Sequence, residues 1–399
     1  MVTDRELIVA AKEQTGLEDF GGGSFREGLG VLVRSLGAEG RLNAVGEAVI
    51  YPRLVGHLAT RLQVEDWYHR HPEIDDVPIA APLIGLSLPR TGSTALSFLL
   101  AQDPGVRFLR QWESAQPCPP PSTVEGPDPR AAVAPLAAGT KEHVPMDVNG
   151  PMECLELMAL DFKTQMYHAF ARIPTYAEWV TGADLTSTYH YEQRVLKLLQ
   201  WGEPARPWRL KSPAHMLWID ALVRVFPDAR FVMTHRDPTD VLASVCDVYA
   251  DIGRMFTDEL DLGFIGRLNL EQWSTAIRRV MEFRDGPGND RFYDIDFGAM
   301  RDDPVGEVRG LYAWLGEPVT REFETGMQRW WDANAAERVE GKHSDLVTYG
   351  LHREEVRPLF ADYVDHCEQW VARRPAIGTR GTRGTRGTRG TRVEPGGST

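Results

Sequence analysis

Cysteine is scarce in this chain: four in 399 residues, at Cys118, Cys154, Cys246 and Cys367, no two closer than 36 positions. That spread excludes a disulfide scaffold, a Cys-x-x-Cys redox pair and a zinc ribbon, and it predicts reduced, mostly packed thiols. No apolar run approaches the ~20 residues a membrane span needs, so no stable membrane insertion is expected. The first ten residues carry Asp4, Arg5 and Glu6 where a secretory signal would be apolar, which predicts a cytoplasmic protein. No cluster of residues has metal-ligand spacing, so no metal is expected. Positive charge is short as well. Lys and Arg number 44 against 57 Asp and Glu, a net charge of −13, and such a mean field repels nucleic acid and anionic membranes. An anion site in this chain must be local, built from a few aimed donors.

What is present is a large apolar fraction, 42%, enough for a sizeable core. Residues 1–75 read as helical: Leu42, Val45, Val49, Ile50, Leu54, Leu58 and Leu62 recur at helical spacing. The run Leu83–Leu88 has the composition of a buried strand. It stops at Pro89-Arg90-Thr91-Gly92-Ser93-Thr94, and Leu96, Leu99 and Leu100 then resume a helical pattern. Residues 115–135 are rich in Pro and predict an extended surface excursion. A helical segment covers about 135–200. Further strands are expected at Trp208–Leu210, Ala229–Thr234 and Arg291–Ile295. A helix after the second carries His215, Ile219, Leu222 and Phe226 on one face, and another, following the fourth, ends near Gly316. Asp237-Pro238 is a helix start, with Asp at the cap and Pro at the first helical position. Strands alternating with helices predict an α/β fold: a parallel sheet with helices on both faces. Residues 1–375 read as one domain. Residues 376–399 read as a disordered tail carrying five Gly-Thr-Arg triplets from Gly378 to Arg392.

The strand–loop–helix at 83–100 is an anion site by construction. Amides without helical partners around Gly92 to Thr94 face whatever lies above them. Ser93 and Thr94 add hydroxyls, and Arg90 adds a fixed cation. A nucleoside-triphosphate loop needs G-x-x-x-x-G-K-[ST], but both the first Gly and the Lys are absent. A serine hydrolase needs G-x-S-x-G, and Gly85-Leu86-Ser87-Leu88-Pro89 lacks the second Gly. Gly21-Gly22-Gly23 has Arg26 where a dinucleotide fold requires its third Gly, and no strand precedes it.

Leu88-Pro89-Arg90-Thr91-Gly92-Ser93-Thr94 resembles the 5′-phosphosulfate loop of the sulfotransferases that use 3′-phosphoadenosine 5′-phosphosulfate (PAPS). Phe231 to Pro238, followed by Ser244 eight residues after Arg236, resembles the second element of that family. Asp103-Pro104, Gln111-Trp112-Glu113, Lys211-Ser212-Pro213 with His215, Asp302-Asp303-Pro304 and Gly341-Lys342-His343 look like its bacterial branch. The resemblance runs from about residue 40 to 370. It implies a P-loop-like fold, PAPS as sulfuryl donor, Arg90 to Thr94 at the 5′-phosphosulfate, and Arg236 with Ser244 at the 3′-phosphate. The glycine-rich nucleotide segment of the animal cytosolic enzymes is missing, and Lys342 is the candidate replacement for its cation.

Sulfuryl transfer is an in-line displacement in which the protein positions groups and stabilises charge. The sulfuryl group carries less charge than a phosphoryl group, so the chemistry does not require a metal. Arg90 and Lys211 are the cations expected at the leaving 5′-phosphate. Four groups compete as the base that takes the acceptor's proton: the resemblance to tyrosylprotein and glycolipid sulfotransferases puts Glu113 first, that to the catalytic His of the animal cytosolic enzymes puts His215 next, and Glu153 and His143 stand behind. The acceptor is a hydroxyl, or an amine, of a small molecule, lipid or glycolipid. Met146, Met152, Met158, Met166, Tyr167 and Phe170 suit an apolar pocket and an ordinary core equally. A nucleotide-dependent small-molecule kinase and a catalytically inert nucleotide-binding protein of the same fold are the alternatives.

Overall fold

A computed structural model describes residues 2–132, 147–335 and 343–372. Five strands form one sheet: β1 (Leu83–Gly85), β2 (Arg107–Phe108), β3 (Trp208–Lys211), β4 (Arg230–His235) and β5 (Phe292–Asp296). Their order is β2-β3-β1-β4-β5, and every pairing is parallel. The expected sheet is present, with β1 shorter than its apolar run. The two-residue β2 was not foreseen, because two residues carry no readable alternation.

Side chains alternate between the two faces, and each face has its own core. Leu83, Val232, Tyr293 and Ile295 pack with the helices Ser93–Leu100, Pro304–Leu315 and Arg321–Ala333 through Leu99, Leu311 and Met327. Ile84, Phe231, Met233 and Phe292 pack on the other face against the helices Thr186–Gln200, Pro238–Phe256 and Leu262–Arg284. Leu311 is fully buried, and truncating such a leucine to Ala costs about 2–5 kcal/mol.

Three N-terminal helices, Asp4–Thr15, Phe25–Glu39 and Ala44–Arg70, extend the larger core. Ile50, Leu54, Leu58 and Leu62 form the buried stripe, whereas Val45 and Val49 are 56% and 41% exposed. The latter two lie a large fraction of a turn from Ile50, so the expected stripe is narrower than the sequence suggested. Arg61, buried, ties this layer to residues 160–161. It donates to the carbonyls of Phe20, Gly22 and Leu160 and pairs with buried Asp161 at 3.4 Å.

The stretch after β3 is a 3₁₀ turn, Pro213–Trp218, before the helix Ile219–Val225, instead of one helix. Ser212 starts it: its Oγ accepts from the Ala214 amide, and Pro213 takes the first helical position. The helix expected to end near Gly316 is two helices, Phe297–Asp302 and Pro304–Leu315, because Asp303-Pro304 restarts the chain with a new cap. Gly316 closes it with φ of 76°. The four cysteines are free, and no helix among the described residues is long and apolar enough to cross a membrane. The tail from 376, His143, Met146 and Lys342 lie outside the described residues.

Candidate active site

β1 is the strand at which the chain order changes direction, with β3 on one side and β4 on the other. Parallel sheets offer their ligand crevice beyond the carboxyl ends of the strands at such a point. A cavity of about 1240 Å³ opens there.

The loop after β1 is held from below. Thr91 Oγ1 donates to the Leu88 carbonyl (2.8 Å) and lies 2.6 Å from Thr234 Oγ1 on β4, while Ser87 Oγ accepts from the Thr234 amide at 2.8 Å. The Thr91 hydroxyl is therefore turned into the interior, fully buried, and Thr91 alone of Arg90 to Thr94 does not line the cavity. Arg90 has φ of 64° and Gly92 φ of 87°. The second suits Gly; the first holds a non-glycine residue in left-handed space, a strain that concentrates at functional sites. Gly92, Ser93 and Thr94 then begin the helix and line the cavity, at the end where amides have no helical partner.

Arg90, Arg236 and Ser244 converge. Arg90 Nε donates to Ser244 Oγ at 2.8 Å, and Arg236 Nη1 donates to the Arg90 carbonyl at 3.1 Å. Phe297 sits beneath, its ring 4.8 Å from the Arg236 guanidinium and close under Gly92. The eight-residue interval between Arg236 and Ser244 thus works through Arg90, which bridges them. Ser244 itself is buried under Arg90 and does not line the cavity.

Lys211 ends β3. Its stem crosses β1 over Gly85, where an added Cβ would stand 3.2 Å from Lys211 Cγ. Its Nζ donates to Thr94 Oγ1 at 3.1 Å and to Glu153 Oε1 at 2.8 Å. Glu153 lines the cavity with its side chain 26% exposed.

The other candidate bases are placed differently. Glu113 is fully buried outside the cavity lining. Its carboxylate accepts from Arg107 Nη2 (2.9 Å) and from the Arg110 amide (3.0 Å), which makes it the cap of the helix Gln111–Ala115. His215 is also fully buried, with Nδ1 3.1 Å from the Tyr189 hydroxyl, and burial pushes its pKa down to about 3. Both occupy structural positions, so neither reaches an acceptor in the cavity.

Away from the loop the cavity wall turns apolar, with Met152, Leu155, Met166, Phe170, Val248 and Ile252. Met158 and Tyr167 are core. At this end Arg53 pairs with Glu156, whose second oxygen lies 3.1 Å from His57 Nε2. Burial raises the Glu156 pKa, but His57 and Arg53 together outweigh it and leave the carboxyl below its usual value. Sequence reasoning missed Arg53 and also Arg353, which borders the donor end and donates to Thr239 Oγ1 at 2.8 Å and Asp240 Oδ1 at 3.2 Å. Arg353 stands two residues beyond Tyr349-Gly350-Leu351, a signal too slight to mark it.

Comparison with known proteins gives consistent matches. Residues 82–321 match the profile described as the sulfotransferase family. The crystal structure of sulfotransferase STF9 from Mycobacterium avium is similar over 92% of this chain and 97% of its own, with 33% identity and a TM-score of 0.84. Sulfotransferase STF1 from Mycobacterium tuberculosis H37Rv is similar over 90% and 99%, with 29% identity and a TM-score of 0.79. Among curated proteins, the omega-hydroxy-beta-dihydromenaquinone-9 sulfotransferase Stf3 of Mycobacterium bovis is 32% identical over 110 residues. That alignment spans 27% of this chain and 28% of the relative.

Proposed function

The chain belongs to the sulfotransferase family, and from that premise we propose that it transfers a sulfuryl group from PAPS to a hydroxyl of an apolar, lipid-like acceptor. One observation carries the reading: Lys211 bonds Thr94 of the phosphate loop on one side and Glu153 of the cavity wall on the other. In this reading a cation for the leaving group and a base for the acceptor stand side by side where the loop meets the cavity wall.

Glu153 is the base in this reading, ahead of Glu113 and His215. It takes the acceptor's proton as the acceptor oxygen attacks sulfur and the bond from sulfur to the bridging phosphate oxygen breaks. Lys211, Thr94 and the loop amides neutralise the charge that collects on that oxygen. Arg90 and Arg236 hold the donor's phosphates, Ser244 positions Arg90 from below through its hydroxyl, and Arg353 adds a cation at the same end. When the donor leaves as adenosine 3′,5′-bisphosphate, the Glu153 proton passes to solvent.

Support for a lipid-like acceptor comes from the apolar wall and from the volume. Single small-ligand sites run from about 300 to 1,000 Å³, and this cavity, at about 1240 Å³, has room for donor and acceptor together. The name of the Mycobacterium bovis relative, a sulfotransferase of a menaquinone-derived lipid, points the same way.

The test supplies labelled PAPS to the protein with an extracted lipid fraction and with the aqueous metabolites, and follows label into product. Label in the lipid fraction is the expected result. Thermal shift runs beside it, with adenosine 3′,5′-bisphosphate expected to stabilise and ATP with Mg²⁺ not. Absence of both transfer and bisphosphate stabilisation would overturn the reading, and stabilisation by ATP alone would favour a kinase.

A further inference from the structure

Immediately behind Glu153 and Lys211 the chain buries three groups that the transfer chemistry does not use. Cys154 precedes the helix Leu155–Ala159, Glu192 lies within the helix Thr186–Gln200, and His215 sits in the 3₁₀ turn after β3. All three are at 0% exposure. A sulfur, a carboxylate oxygen and a ring nitrogen, one from each, lie within 4.8 Å of one another. The Cys154 amide donates to the Lys211 carbonyl at 3.1 Å, so this cluster shares its backbone with the proposed reaction pair.

The cluster is under-satisfied. The Glu192 carboxyl has only the Cys154 thiol beside it, a weak donor, and His215 Nε2 has no hydrogen-bond partner. Unpaired buried polar atoms cost about 1–3 kcal/mol each, and native interiors keep them few. His215 Nδ1 is held by the Tyr189 hydroxyl at 3.1 Å, the outer bond that metal-ligating histidines make to fix the ring.

We propose that Cys154, Glu192 and His215 bind one zinc ion that has a structural role. A thiolate, a carboxylate and a neutral imidazole around Zn²⁺ sum to no net charge, which suits a site with no contact with water. A carboxylate binding through both oxygens supplies the fourth donor that structural zinc takes. The mixture of sulfur, nitrogen and oxygen excludes calcium and magnesium, which take oxygen alone. Zinc bonds of about 2.0–2.3 Å place donor atoms about 3.5 Å apart. The three groups therefore need to close by about 1 Å, within the reach of side-chain rotation. Burial alone opposes the ionised forms: it pushes the Glu192 carboxyl up to about 8 and the Cys154 thiol well above its usual value. A bound cation reverses that preference for both, and the two protons leave as it binds.

The ligands lie on three separate elements with no motif spacing, so the sequence expectation of no metal had nothing to detect. The ion pins the residue after Glu153 to the turn after Lys211 and holds the base and the cation in register. It does not touch substrate.

The experiment measures metal content in the full chain, expressed with zinc in the medium and purified without chelator. About one equivalent per chain is expected, falling by roughly 10-fold or more in Glu192→Gln and in Cys154→Ser. Both substitutions keep the side-chain volume. Cobalt replacing zinc should give a near-ultraviolet sulfur-to-metal band that Cys154→Ser abolishes. Less than about a tenth of an equivalent of transition metal in the unsubstituted protein overturns the proposal, and so does a full equivalent retained in both variants. Neither readout depends on sulfuryl transfer.

Discussion

The two ends of the cavity are built by different rules. At the donor end, the groups sit at strand termini and helix starts: Arg90 to Thr94 after β1, Lys211 at the end of β3, Arg236 after β4. Their backbone is fixed by the sheet and by the buried Thr91–Thr234–Ser87 hydroxyl network. At the acceptor end, Met166 and Phe170 belong to a single 3₁₀ turn and its end, and Arg53 reaches in from a helix far away in sequence. A phosphate is the same in every reaction of this class, so a rigid site suits it. An acceptor varies, and a wall of separate short elements can change without disturbing the sheet.

The largest effect should come where the two ends meet. Glu153→Gln is expected to lower kcat by about 10³, within the range for loss of a general base, in single-turnover assays with saturating PAPS. Glu113→Gln should leave kcat within a few-fold while lowering stability by about 3 kcal/mol in urea, because it leaves Arg107 buried without its counter-charge. The reverse pattern would return the base to Glu113 and break the division drawn above.

Next in size, Arg353→Met is expected to raise KM for PAPS about 10-fold and leave the acceptor KM unchanged. Phe170→Ala should do the opposite by removing apolar wall. Initial rates with each substrate varied separately would show it; a shift of both constants together in either variant would mean that the two ends do not act separately.

The smallest effect is a difference in acid tolerance. His168 belongs to the 3₁₀ turn Gln165–Ala169 that supplies the acceptor wall, and it is buried, with Nδ1 3.2 Å from Gln272 Oε1; burial pushes its pKa down to about 4 from 6.5. Between those values the unfolded chain binds the proton and the folded chain does not, so stability falls as pH drops through that window. At about 1.4 kcal/mol per unit the loss reaches about 3 kcal/mol. On the sheet side, burial raises the Asp294 pKa, but hydrogen bonds from Arg284 and His235 outweigh it and leave it below 3.8. Its contribution is present above that value and fades only as pH falls lower. Hydrogen exchange at pH 7 and pH 5 should find the 165–170 segment opening first, and His168→Gln should remove most of that difference.

The donor end was legible because its signals are local. A loop of six residues and an Asp-Pro helix start each carry their geometry in adjacent positions, and the parallel sheet followed from strands alternating with helices. The proposed base was among the four candidates, but the sequence could not rank it first. Glu113 and Glu153 are both acidic residues near short helices, and only the tertiary arrangement buries one among arginines and opens the other to the cavity. His215 was expected on one helix with Ile219 and Leu222, but it lies in the 3₁₀ turn before that helix and is fully buried there. Arg53 and Arg353 lie far from either motif in sequence, and no local pattern could join them to the site.

Gly85 fixes a dimension of this site. The lysine stem runs across the central strand at the one place where that strand presents no side chain, and a methyl group there would stand 3.2 Å from it, tighter than ordinary contact. The Lys211 stem would have to give by a few tenths of an ångström, and its ammonium would shift against Thr94 and Glu153. The seat of the cation over the sheet thus depends on a missing carbon atom, and the strand beneath it helps to fix how Lys211 meets Thr94 and Glu153.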